Sequence, residues 1–132
     1  MTLQQIKQLK YEYCLHLDSG NVSDFVDLFT EDAYVEVPNY EPCRGVEDIR
    51  EFIVDVSSRD IGHMSHMASN PIVDVDGDDG TGHWYYIVII KDSDGQATLG
   101  QGRWKDQYRR IDGDWKIASL VATRQFTSRI SE

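Results

Sequence analysis

Asp-Gly dipeptides at Asp76-Gly77, Asp94-Gly95 and Asp112-Gly113 punctuate the second half of this chain at strand-length intervals. Asp-Gly suits a tight hairpin turn that needs positive φ, so each pair ties its flanking runs into an antiparallel hairpin. The runs between them are rich in Val, Ile, Tyr, Trp and Thr, and strands are expected at about 63–75, 83–91, 98–110 and 114–125. Everything before them reads mainly at helical period. Helices first, then a meander of antiparallel strands, predicts an α+β fold with one bent sheet wrapped around the helices.

Thr2-Leu3-Gln4-Gln5 is a capping-box pattern with Thr2 as N-cap, and a first helix runs from it to about Leu17 and stops at Gly20. Asn21 is placed to cap a second, shorter helix whose Val22, Phe25, Val26 and Phe29 repeat at i, i+3, i+4 and i+7. Ala33 to Val37 reads as a short strand halted by Pro38, with a loop over 39–45. A third helix starts near Val46, carries Glu47 and Asp48 in its first turn, and buries Ile49, Ile53 and Val56.

Asp18 is an acid on the apolar side of its own helix. At about 100° per residue, Leu3, Ile6, Leu9, Tyr13, Leu17, Cys14 and Tyr11 share one broad arc, and Asp18 falls between Cys14 and Tyr11. A carboxylate aimed into a core is costly unless it is paired or hydrogen-bonded. The candidate partner lies in His63-Met64-Ser65-His66, which leads into the strand-like Pro71-Ile72-Val73. An Asp holding a His in a closed pocket is the simplest general acid/base device.

Charge narrows the partners. With 13 Lys+Arg against 23 Asp+Glu the formal charge is −10, so nucleic acid and anionic membranes are repelled. An excess of Asp with Arg above Lys also fits a salt-rich cytoplasm, as it fits many other acidic proteins. The longest apolar stretch, Trp84 to Ile90, is far short of a membrane span, and the polar start lacks the pattern of a secretory leader. Cys14 and Cys43 form no C-x-x-C pair and read as reduced thiols of a cytoplasmic protein, Cys14 filling core space.

Several motifs are discarded. Asp74 to Gly80 resembles a calcium loop, but its Gly sits one place late and Tyr85 stands where a bidentate Glu belongs. Gly100-Gln101-Gly102 opens no helix, so it is not a nucleotide loop; there Gly permits a bulge or close packing in a bent strand. His63 and His66, three apart on a strand, point to opposite faces, and no zinc spacing is present, so neither metal nor cofactor is expected. No nucleophile motif indicates covalent catalysis.

The element order, with Tyr13 to Asp18, Asp27 to Ala33, Gly45 to Ile49 and Ile111 to Ile117, resembles the SnoaL-like branch of the NTF2-like superfamily over nearly the whole chain. The resemblance implies a cone-shaped barrel in which a strongly bent antiparallel sheet closes on three helices around a deep pocket, one domain spanning 1–132. Within that superfamily the chain is most similar to the scytalone dehydratase and bile-acid dehydratase group and a related dehydrochlorinase. By that likeness Asp18 and His66 form a catalytic dyad, and Tyr13 is the pocket tyrosine, although the helical wheel places Tyr11 nearer Asp18. Arg124 matches an arginine common on the final strand, and it shares a strand face with Leu120 and Ala122. The chain departs from the group where a second pocket His or Asp is usual, since Ile89 and Ile90 stand there. Gly102 and Trp104 replace the Ser and Asn of scytalone dehydratase.

The expected function is a cofactor-independent, dehydratase-like lyase or an isomerase acting on a small hydrophobic cyclic carbonyl compound. His66 removes a proton, Asp18 holds His66, and Tyr13 donates to the developing enolate. Arg124, Trp84, Tyr86, Trp104 and His63 are expected to bind substrate, with His63 at the pocket mouth or in solvent. The alternative is a ligand-binding or assembly module without chemistry, which a self-filled pocket or an outward Asp18 would favour. A homo-oligomer, dimer or trimer, is expected because the Trp84 to Ile90 strand is apolar on both faces.

Overall fold

Helical period continues unbroken to the Ser19-Gly20 stop, and in the computed structural model, which describes residues 2–59 and 61–130, α1 spans Thr2–Ser19. Thr2 is itself the first helical residue rather than the cap, a one-residue difference at a helix end. Gly20, at φ +69°, turns the chain into α2 (Val22–Val26). Asn21 stands at the N-cap of α2, but its side-chain amide lies 3.3 Å from His16 Nδ1 and makes no capping bond. The buried face of α1 comprises Ile6, Leu9, Lys10, Tyr13, Cys14 and Leu17. Leu3 and Tyr11, expected there, are about half exposed, whereas Lys10, near the middle of that arc, is fully buried. A lysine stem can be buried like an aliphatic chain when its ammonium finds an acid.

After α2 come β1 (Phe29–Glu36), the two-residue β2 (Cys43–Arg44), α3 (Val46–Ser57), and the long strands β3 (Ile61–Asp76), β4 (Asp79–Asp92), β5 (Ala97–Ile111) and β6 (Asp114–Arg129). One curved, six-stranded sheet results, in the order β2-β1-β6-β5-β4-β3. The expected meander is β3 to β6, each antiparallel to the next. Asp112 and Gly113 both adopt positive φ, as a type I′ hairpin turn requires. β1 adds a feature that local pattern does not carry: it runs parallel to β6, with Val35 opposite Leu120.

Strict alternation along β4 sends Trp84, Tyr86 and Val88 inward, and along β5 sends Trp104, Asp106 and Tyr108 inward. Trp84 packs against Tyr11 and Trp104 against Tyr13 of α1, so the core lies in the concave face of the sheet. The sheet bends where Asn70 takes φ +56° and the β3–β4 register shifts between Ser69 and Ile72. Pro71 is tolerated at that point because β3 is an edge strand.

Beneath the pocket the core is polar. Lys10 Nζ lies 2.8 Å from Asp106 Oδ2 with neither side chain exposed. Tyr108 donates its hydroxyl to the same oxygen at 2.6 Å and accepts the indole N–H of Trp84 at 2.9 Å. The ammonium also sits 4.0 Å from the Trp104 ring centroid, a cation–π contact. Burial lowers the Lys10 pKa from its ordinary value, against the opposing pull of Asp106.

Candidate active site

Asp18 reaches the site because α1 ends there, across from the free edge of β3. Its Oδ2 accepts the backbone N–H of His66 at 2.8 Å, and its Oδ1 lies 2.6 Å from His66 Nδ1. The first bond satisfies a donor that an edge strand would otherwise leave bare. The second fixes the imidazole: a carboxylate at Nδ1 holds the proton there and leaves Nε2 as the acceptor. Among the described residues Nε2 has no hydrogen-bond partner.

His66 forms part of the wall of a cavity of about 210 Å³. Tyr13, Tyr86, Trp104, Val88, Met64 and Phe52 give it an apolar, aromatic lining. Trp104 stacks on Tyr86 with ring centroids 4.7 Å apart and lies nearly parallel to the His66 ring. Tyr13 meets the edge of Trp104, and burial holds its phenol well above the ordinary range, followed by the effects of Cys14 and Asp106. Tyr13 is therefore a hydrogen-bond donor here and not a base. A larger, more open groove of about 520 Å³ beside Gln8, Glu12 and Lys116 is polar and holds neither Asp18 nor His66.

Arg124 enters the cavity from β6 at a bulge. Gln101 pairs with Phe126 and Gly102 with Arg124, so Gln125 is the extra residue. Its Nε donates to the Tyr86 hydroxyl at 3.2 Å and its Nη1 to Thr127 Oγ1 at 3.4 Å.

Of the residues expected at the site, Tyr13, His66, Tyr86, Trp104 and Arg124 line one cavity, with Asp18 behind the imidazole. Trp84 does not line it; its indole is committed to Tyr108. His63 is exposed on the opposite face of β3, 2.7 Å from Ser65 Oγ, because residues three apart on a strand diverge. Tyr40, Phe52, Arg59 and Met64 also line the cavity and are not marked as site residues by the sequence. Alternation around the bend marks Met64 beside His66, but the loop residue Tyr40 carried no signal. No group of three or more metal-ligating side chains occurs among the described residues. No helix among them is long and apolar enough to cross a membrane.

The comparisons agree with this architecture. The family model described as a SnoaL-like domain matches residues 2–121. An uncharacterised protein of Mycobacterium tuberculosis strain H37Rv is 28% identical over 127 residues, covering 92% of this chain and 84% of that protein. A candidate scytalone dehydratase of Novosphingobium aromaticivorans superposes with a TM-score of 0.87 at 20% identity, over 99% of this chain and 89% of that one. A type 2 hexachlorocyclohexane dehydrochlorinase gives a TM-score of 0.89 at 17% identity, over 98% and 89% respectively. At those identities the two structures speak for a shared NTF2-like fold.

Proposed function

This chain belongs to the SnoaL-like domain family, and from that premise we propose that it is a cofactor-independent lyase of the dehydratase kind, or an isomerase, acting through Asp18 and His66. The observation that carries the reading is the 2.6 Å contact of Asp18 Oδ1 with Nδ1, on an imidazole that lines an apolar cavity. The substrate is a small hydrophobic cyclic carbonyl compound. Nε2 takes the proton α to the carbonyl, and Asp18 stabilises the imidazolium that forms. The Tyr13 hydroxyl donates to the carbonyl oxygen as negative charge develops there. In elimination, the C–H electron pair becomes the new double bond and the β-hydroxyl leaves as water with the proton carried by His66. In isomerisation the same proton returns to a different carbon. Either way the imidazole ends neutral.

A pocket filled by its own side chains, or a carboxylate turned to solvent, would favour a binding or assembly module; the open cavity and the bonded Asp18 favour chemistry. The same proposal includes a homo-oligomer formed through the outer sheet face. Met67 lies opposite Ile87 and Gln101 opposite Phe126 on neighbouring strands, and Met67, Ile87 and Phe126 are exposed.

The direct test is deuterium exchange at the α carbon of cyclic ketones in heavy water, followed by NMR. The wild-type protein is expected to accelerate exchange and His66→Ala to abolish the acceleration. A panel of cyclic ketones exchanging at the buffer rate in both proteins would refute the reading.

A further inference from the structure

One cationic side chain in the cavity wall, Arg124, stands without an acidic partner among the described residues. The protein carries a formal charge of −10, yet among the described residues two arginines, Arg59 and Arg124, and no Asp or Glu line the cavity. Arg59 is spoken for by Asp55, 3.3 Å away on α3. Arg124 has no carboxylate partner among the described residues; its only acceptors are the neutral hydroxyls of Tyr86 and Thr127. A guanidinium presents five N–H donors in a planar fork that matches a carboxylate, so most of its capacity is unused.

The backbone makes room for this fork. A Cβ on Gly100 would lie 3.0 Å from Cζ and Nη1 of Arg124; one on Gly102 would first meet the Thr123 backbone carbonyl and then the Tyr86 ring at 2.7 Å. The guanidinium therefore rests over Gly100 and its Tyr86 partner over Gly102. This accounts for Gly100, while Gly102 answers first to the close approach of the β6 backbone at the bulge. His66 pairs with Val88, and Val88 with Gly100. The fork and the imidazole thus stand two strand spacings apart, about 10 Å, across the concave face.

We propose that Arg124, seated on Gly100, is a specificity-determining residue that receives a carboxylate on the substrate, at the end of the ring remote from the carbon whose proton His66 takes. The inference rests on the reading of the site given above and narrows its substrate class to ring compounds bearing both a ketone and a carboxylate. Tyr86 orients the fork through its hydroxyl, and the Tyr86–Trp104 stack flanks the ring between the two polar ends.

The test uses two probes, a cyclohexanone carrying a carboxylate across the ring and its carboxamide, with binding read by calorimetry. Charge-assisted pairing predicts that the carboxylate binds wild type about tenfold more tightly than the amide, or better. Arg124→Gln keeps a donor for Tyr86 and is expected to erase the preference. Arg124→Lys should retain part of it, and Gly100→Ala should reduce it by displacing the fork. Equal binding of the two probes to wild type, or a preference that survives in Arg124→Gln, would overturn the proposal. Exchange of the α proton is scored separately on the same samples. A preference that disappears in Arg124→Gln without exchange in any protein would sustain the carboxylate subsite and sink the acid/base reading instead.

Discussion

The Lys10 ammonium and the Asp106 carboxylate lie 2.8 Å apart with no exposure of either side chain, directly behind the Tyr13 and Trp104 rings of the cavity wall. Two buried charges this close are stable only as a pair, and removing one strands the other. Lys10→Met is expected to cost about 3–5 kcal/mol in urea unfolding. Adding Asp106→Asn, which still accepts from Tyr108, should recover more than half of that loss. A double variant no more stable than Lys10→Met would show that the pair is not the source of the loss.

Asp18 and His66 should behave as one unit. Asp18→Asn and His66→Ala are each expected to lower the exchange rate by about a hundredfold or more, and the double variant by little beyond the larger loss. Multiplying losses would mean independent action. Asn at position 18 can still accept the His66 backbone N–H, so the cost in stability should be about 1 kcal/mol.

Alkaline pH is the expected weak point of the fold. Burial pushes the Cys14 thiol up to about 12, and raises the phenols of Tyr13 and Tyr108 as well. Between the ordinary thiol value of 9.0 and about 12, folded Cys14 keeps a proton that the unfolded chain releases. Its contribution is therefore complete below about pH 9 and is lost as pH rises towards 12. Unfolding free energy measured against pH should fall in that window. Cys14→Ala should flatten the slope by up to about 1.4 kcal/mol per pH unit, whatever its effect at neutral pH. An unchanged slope would contradict the assignment.

The proposed oligomer makes a salt-dependent prediction. Light scattering at micromolar concentration should give a species larger than the monomer, strengthened by salt because two chains of charge −10 repel. Ile87→Lys, on the outer face of β4, should return it to the monomer with little loss of fold stability. A wild-type monomer at all salt concentrations would remove this proposal.

How far sequence reached depends on whether the deciding contact is local. The three hairpins were legible because Asp-Gly turns and period-two alternation are short-range signals. Asp18 was legible because an acid on an apolar arc demands a partner, although choosing His66 over His63 needed the family resemblance. Lys10 and Asp106 were missed because each looks like a surface residue by type. Their positions were nonetheless informative: Lys10 is spaced with Ile6, Tyr13 and Cys14 on the buried face of α1, and Asp106 alternates with Trp104 and Tyr108. The unexpected β2, and the parallel docking of β1 on β6, join segments distant in sequence or too short to carry a pattern. No local feature announces them.

That docking sets a timetable for the molecule. β1 has only the two-residue β2 beside it until β6 has been made, since Val35 pairs with Leu120. Contacts of such long separation slow folding, because the intervening chain must be ordered before they form. On the ribosome, α1 to α3 and β1 emerge as an incomplete layer whose Phe25, Phe29 and Ile53 have no sheet to cover them. Asp18 is thus synthesised long before its cavity exists, and Arg124 arrives on the strand that closes it. A chain halted short of β6 would hold Asp18 and His66 beside a cavity wall that lacks Ala122 and Arg124.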